Sequence, residues 1–397
     1  MSIDAAVVLA AGEGTRLRPL TRNRPKPMLP AADRPILDHV LDALVDAGVE
    51  DLHLVVGYKR DRVQNHVGPT FRGRPVTYHV QETQLGSGHA LLQAQDALDA
   101  DFVVINGDQV AAREMIDRVV DAHTRSDTVT MAVRESERAS AYGAVELRGD
   151  RVVDLVERPR DDSYRLMNAG IYAFGPSFFA DLDATERREG ELAITDAITR
   201  QTGDQSAVRG VRTEGLWVDA TYPWDLPRVA RELLARGLVD APERHANAYV
   251  AADATVHDSA VLQPPVVVAR DAVLGPNAVV GPNVAVGQNA TVNAGAVVRN
   301  SVLDTDARVG AAATAADSVL GQRARLGDGA VLAADTTDVR VGDRVHTDVR
   351  LGAVVADGAR LGGGVTVAPG SLVGPDARVH PGGYVDGNLA EGVEVRR

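Results

Sequence analysis

From Val7 to Leu29 the chain reads VVLAAGEGTRLRPLTRNRPKPML. An apolar β-branched run is followed by Gly12 and Gly14, then Thr15 and Arg16, and later by Lys26 between Pro25 and Pro27. This order suits a phosphate cradle. Glycines let backbone N–H groups come close to an anion, an arginine forks onto two phosphate oxygens, and a lysine offers a compact point charge. The prolines fix their own φ and restrict their predecessors, which stiffens the segment carrying Lys26. The dinucleotide fingerprint needs a third glycine and the P-loop needs Gly-Lys-Ser/Thr, and neither is present. Taken alone, the glycine pair reads as a tight strand-to-loop turn with solvated arginines.

Two later loops offer complementary chemistry. Gln81 to Ala90 reads QETQLGSGHA, where the Gln81 amide can pair with the edge of a uracil or thymine ring. Gly86 and Gly88 there would allow backbone near a base and ribose. Asn106-Gly107-Asp108 follows an apolar run. A carboxylate at a strand end can reach Mg²⁺, which takes one or two protein carboxylates plus phosphate oxygens and water. A turn aspartate bonding its own backbone is the plainer alternative.

The elements that must position these residues alternate along the first 240 residues. Val7–Leu9, 52–56, 76–80 and 102–105 read as buried strands, with helices over 36–47 and 90–97. An α/β domain of this pattern collects ligands beyond the carboxyl ends of its strands.

The string LAAGEGTRLRPLT followed by RPKPMLP resembles the signature of the sugar-1-phosphate nucleotidyltransferases, or nucleotide-sugar pyrophosphorylases. The resemblance implies a Rossmann-like domain over 1–240 that joins a nucleoside triphosphate to a sugar 1-phosphate and releases pyrophosphate. It implies that Leu9, Ala10, Ala11, Gly12, Gly14, Thr15, Gln81, Gly86 and Ser87 bind the nucleotide, and that Arg16 and Lys26 are catalytic. It places Mg²⁺ on Asp108 and on Asp219, which lies in WVDATYPWD. Gly143, Glu157, Arg158 and Asn168 would hold the sugar phosphate. Three positions depart from the family's pattern: Ser87 replaces a threonine, Arg158 a lysine, and Thr221 a frequent glycine. Asp225 reads as an early-helix carboxylate favoured by the dipole rather than a ligand.

Charge and composition narrow the partners. Net charge is −13, cysteine is absent, and lysine occurs only at 26 and 59. A strongly acidic chain gains no attraction to nucleic acid or anionic membrane. No disulfide or thiolate metal site is possible. No apolar run reaches spanning length and no secretory leader pattern opens the chain, so a cytoplasmic protein is expected. Acidity with scarce lysine suggests adaptation to a salty cytoplasm, or simply an arginine-biased genome.

After the linker APERHANA, aliphatic residues recur every six positions from Val250 to Val298, resume at Leu320–Leu332, and run again from Val355 to Val385. Such a period defines a parallel β-helix, expected over 241–388 with 389–397 as a tail. It resembles the left-handed hexapeptide β-helix, which implies a homotrimer. Relatives fused to a nucleotidyltransferase can acetylate an amino sugar from acetyl-CoA, but Ala311 stands where their histidine base would be, and an alanine accepts no proton. His257, His346 and His380 read as solvated loop residues.

The reading is therefore transfer of a nucleotidyl group from UTP or dTTP to glucose 1-phosphate or N-acetylglucosamine 1-phosphate. The alternatives are a bifunctional enzyme that also acetylates glucosamine 1-phosphate, and a non-catalytic regulatory subunit that binds a nucleotide sugar.

Overall fold

The computed structural model describes residues 3–126, 128–161, 163–203 and 208–396. These form two compact units that do not follow chain order. One runs through Glu13 and from Leu37 to Trp217; the other takes Gly14–Ile36 and the chain from Val218 on.

The first unit is built on a ten-stranded sheet. Its strands are β1 (Ala5–Ala10), β2 (Asp51–Val56), β3 (Thr70–Phe71), β4 (Arg74–Val80), β5 (Phe102–Asn106), β6 (Thr130–Glu135), β7 (Gly143–Arg148), β8 (Arg151–Glu157), β9 (Leu166–Phe174) and β10 (Arg209–Arg212). They lie in the order β7-β8-β10-β6-β9-β5-β1-β2-β4-β3. At the centre β1 pairs in parallel with β2 and β5, placing Val8 between Leu54 and Ile105. A strand covered on both faces is apolar throughout, as AAVVLA is. Since β1, β2, β4 and β5 run the same way, Ala10, Val56, Val80 and Asn106 end on one edge of the sheet. The helix expected at 90–97 is shorter, Ser87–Leu92, followed by a 3₁₀ turn at Gln95–Ala97.

In the second unit the hexad period becomes three parallel ladders of seven or eight short strands. Equivalent residues are first 18 apart, as in Val250, Val268 and Val286. The phase slip after Val298 has a simple origin: the next two coils have 17 residues, pairing Leu303 with Val286 and with Leu320. Both short coils turn on a fully buried serine. Ser301 Oγ accepts from the Ser318 N–H at 3.0 Å, and Ser318 Oγ accepts from the Ala353 N–H at 3.0 Å. Each hydroxyl thus satisfies a backbone donor that would otherwise be lost in the core. The second slip is an inserted hairpin, Asp335–Val341 paired with Arg344–Leu351. The coil closes beneath it, with Leu320 against Val355. The expected tail carries one more rung, Glu394–Val395.

One aliphatic side chain per strand fills the narrow interior, with small Ala272, Ala290 and Ala307 at intervening corners. Asn277, Asn283 and Asn289 take left-handed turn conformations near φ +57°, which asparagine tolerates better than most residues. One outer face is apolar too: Val267, Ala285, Val302 and Val319 are completely buried. The helix Asp225–Leu234 lies against the strands Val284–Val286 and Val302–Leu303 of this face, with Leu226, Val229, Ala230 and Leu233 buried. This packing is why residues after 217 group with the β-helix.

Candidate active site

Within the first unit, the strand edge carries Ala11, Gly12, the 81–87 loop and Asp108. Gly107 donates its N–H to the Leu9 carbonyl at 2.9 Å. A Cβ there would stand 2.9 Å from Val8 Cγ1, so the turn presenting Asp108 needs glycine. Gln81 is buried and hydrogen-bonds inside its own loop, with Nε2 3.1 Å from the Gly86 carbonyl and 2.9 Å from His89 Nδ1. Gly86 has φ +96°, and its missing Cβ makes room for the backbone of Leu192. Gly88 N–H reaches Leu192 O at 2.8 Å, and Ser87 Oγ accepts from Ile194 N–H at 3.0 Å. The segment 192–194 therefore buttresses this loop. Its sequence offers no motif that would have announced the role.

The sugar-phosphate candidates also converge. Gly143 stands opposite Glu157 in antiparallel register. A Cβ on Gly143 would lie 3.1 Å from Glu157 Oε2 and 3.4 Å from Asn168 Cβ. Asn168 donates Nδ2–H to the Tyr172 hydroxyl at 2.6 Å and accepts from Gly170 N–H at 3.0 Å. Burial pushes the Tyr172 phenol up to about 12. The β9 bulge that aims Asn168 is held by two bonds onto the Ala169 carbonyl, from Gln109 Nε2 and from Trp217 Nε1 at 2.9 Å. Gln109 was not foreseen; its signal was only its place beside Asp108. Arg158 is half-exposed, 3.6 Å from Glu157, in a left-handed conformation at φ +46°.

Within the second unit, Gly14 is left-handed at φ +66°, and a Cβ there would sit 2.9 Å from Lys26 Cβ. Thr21 Oγ1–H donates to the Gly14 carbonyl at 2.8 Å. The backbones of the two ends of the signature are thus pressed together. Thr15 and Arg16 open a 3₁₀ turn directly after Gly14. Lys26 is 9% exposed and its ammonium is ion-paired with Asp219 Oδ1. Asp219 Oδ2 accepts from Thr221 Oγ1–H at 2.9 Å, and Arg228 donates to the Asp219 carbonyl at 2.8 Å. Asp225 Oδ2 accepts from the N–H groups of Thr221 and Tyr222, both at 2.9 Å, which fits the helix-entry role expected of it.

Two unforeseen features flank this pair. Arg24 is buried, 2.5 Å from Asp304 and 3.0 Å from Asp357 of the β-helix. Burial alone would lower its pKa, but the two carboxylates outweigh it and raise the value. His346 is not the solvated loop residue expected. Its ring packs 4.3 Å from that of Tyr222 and 5.3 Å from that of Trp224, because the inserted hairpin carries it away from the coil. His257 and His380 bond to Ser259 and Glu394, and Ala311 donates its N–H to Asp328 at 2.8 Å.

Hard oxygen donors without thiolates suit a divalent cation of the magnesium class. Among the described residues no group of three or more His, Asp or Glu side chains forms a ready metal cage. Asp108 at the strand edge of the first unit and Asp219 in the second are carboxylates of the kind such an ion takes beside phosphate oxygens and water.

A parallel-centred α/β sheet opening on a glycine-lysine signature and followed by a hexad β-helix is the combination that the comparisons with known proteins also find. The chain belongs to the nucleotidyl transferase family, whose model matches residues 5–235; the GMPPB C-terminal domain model matches 262–352. Members generally use a divalent metal. A bifunctional protein GlmU from Methanococcus maripaludis is 31% identical over 265 residues, covering 65% of this chain and 62% of that protein. The UTP–glucose-1-phosphate uridylyltransferase AglF of Haloferax volcanii is 35% identical over 232 residues, 57% of this chain and 96% of its own length. A crystal structure of UDP-glucose pyrophosphorylase with UDP-glucose shares the fold, at TM-score 0.52 and 23% identity over 57% of this chain and 97% of that one. Among the described residues no helix is long and apolar enough to cross a membrane.

Proposed function

We propose that the protein transfers a nucleotidyl group from UTP or dTTP to glucose 1-phosphate or N-acetylglucosamine 1-phosphate, releasing pyrophosphate. The buried Lys26–Asp219 pair beside the Gly14 turn carries this reading. An ammonium held fixed beside a glycine turn supports an anion-binding role for that turn. The name of the Haloferax relative favours UTP and glucose 1-phosphate.

In the reaction, a sugar-phosphate oxygen forms a bond to the α-phosphorus, and the bond to the pyrophosphate oxygen breaks in line with it. The nucleophile is already ionised, so positioning and charge neutralisation suffice without a general base. Arg16 and Lys26 take the charge that builds on the α-phosphoryl and departing oxygens. Gln81 pairs with the base through its amide oxygen while its nitrogen braces the loop. Gly143, Glu157, Arg158 and Asn168 hold the sugar phosphate. Mg²⁺ on Asp108 and Asp219 would draw the two anionic reactants together. Residues 1–240 carry this chemistry. The hexapeptide β-helix expected over 241–388, which extends to the Glu394–Val395 rung, is the surface through which three copies of a salt-adapted cytoplasmic enzyme associate.

A panel of four nucleotides against several sugar 1-phosphates, read by pyrophosphate release with Mg²⁺, tests the activity. No release with any pair would favour the regulatory-subunit reading. Thiol release from acetyl-CoA with glucosamine 1-phosphate would restore the bifunctional one. Light scattering at the trimer mass checks the assembly.

A further inference from the structure

The β-helix could close its coils without the hairpin at 335–351, because Leu320 pairs directly with Val355. The insertion must therefore do something other than support the coil. It reaches the signature segment. Within the second unit a cavity of about 490 Å³ lies between them, lined by Arg16, Arg18 and Arg22 from the signature and by Arg340, Arg344 and His346 from the hairpin.

Among the described residues, two acids, Asp343 and Glu391, share this lining. Five arginines against two carboxylates is a strong local reversal in a chain of net charge −13. A concavity lined mostly by one sign of charge focuses the field and draws in small ions of the other sign. The apolar side comes from Leu372 and Leu389 of the last coils. The hairpin is fixed at this spot from both sides. Asn388 donates to the Arg340 carbonyl at 2.9 Å, and the His346 ring is held against Tyr222 and Trp224.

We propose that this cavity binds a phosphate-bearing small anion. Arginine forks suit phosphate geometry better than any other common anionic group of this size. Because Arg16 lines the cavity, the bound anion would compete with the reaction for that guanidinium and slow pyrophosphate release; this second part rests on the function proposed above.

The test is calorimetric titration of the full-length protein with inorganic phosphate and with phenyl phosphate, at constant ionic strength and without substrates. A binding event is expected whose affinity falls at least tenfold in R340A/R344A, at an unchanged melting temperature. It should be largely kept in R340K/R344K. Equal binding of the two probes assigns free phosphate as the ligand, and tighter binding of phenyl phosphate assigns an organic monoester seated on Leu372 and Leu389. In rate assays phosphate should inhibit the wild type even at saturating sugar phosphate. R340A/R344A should lose that inhibition while keeping its phosphate-free rate. Identical titrations for the wild type and R340A/R344A, or no binding of either probe, would overturn the site. The titration needs no turnover, so it stands apart from any failure of the proposed activity.

Discussion

At the residue scale, the site depends on a few side chains whose surroundings leave little latitude. Lys26 is clamped by Gly14 behind it and Asp219 ahead of it. An arginine there would need more room and would present a fork where a point charge fits. Lys26→Gln should lower kcat for pyrophosphate release by about 10²–10³, the usual cost of removing a preorganised charge-stabilising donor. Lys26→Arg should also be impaired; a fully active Lys26→Arg would show that charge alone matters. Asp219→Asn releases Lys26 from its ion pair and, under the proposed function, would take a charged ligand from the cation, so its loss of activity should persist at saturating Mg²⁺. Gly107→Ala forces a methyl onto Val8 and should reduce both the melting temperature and the rate, through displacement of Asp108. The spacing of these residues was legible in the chain. The bracing of Gln81 by Gly86 and His89 was not, since hydrogen bonds among loop residues leave no periodic trace.

At the scale of elements, the signature segment is secured by a buried ion cluster in addition to its own hydrogen bonds. Arg24→Ala would leave Asp304 and Asp357 buried without their cation, and should destabilise the protein by about 3–5 kcal/mol in denaturant unfolding. Two strands of the sheet carry a second ionisable contact, His53 Nδ1 3.0 Å from His79 Nε2. Burial lowers the pKa of both, and the neighbouring His79 lowers that of His53 further. A histidine depressed in the folded state adds stability above its unfolded pKa near 6.5, and that stability is lost as pH falls towards the folded value. His79→Gln should therefore flatten the decline in melting temperature between pH 7 and pH 5. An unchanged pH slope in that variant would dismiss the contact as a source of acid sensitivity. Strands and helices here were foreshadowed by apolar spacing, but the hairpin at 335–351 read only as a break in the hexads. A two-residue period within a polar insertion is too weak a signal to separate from a loop.

For the whole molecule, the two compact units cut across chain order because an apolar helix face met an apolar β-helix face. A chain truncated after Asp240 would expose Leu226, Val229 and Leu233 and strip Arg24 of both carboxylates. It should aggregate on expression, and a soluble, active fragment 1–240 would show that the packing is dispensable. Arg308, Arg325, Arg360 and Arg378 stand in register on consecutive rungs, adding like-charge repulsion to that of the net −13. Screening both should raise the melting temperature as KCl increases. By itself the sequence determined the two architectures, since periods of two, 3.6 and six follow from which side chains must leave water. It also supplied the phosphate-binding residue types, because glycine, arginine and lysine are dictated by local chemistry. Only the tertiary structure decided which of them meet: the Lys26–Asp219 pair, the Gly143–Glu157–Asn168 group and the arginine-lined cavity join residues far apart in the chain. Such contacts are set by how faces pack, a property of the surfaces left over after each element has formed.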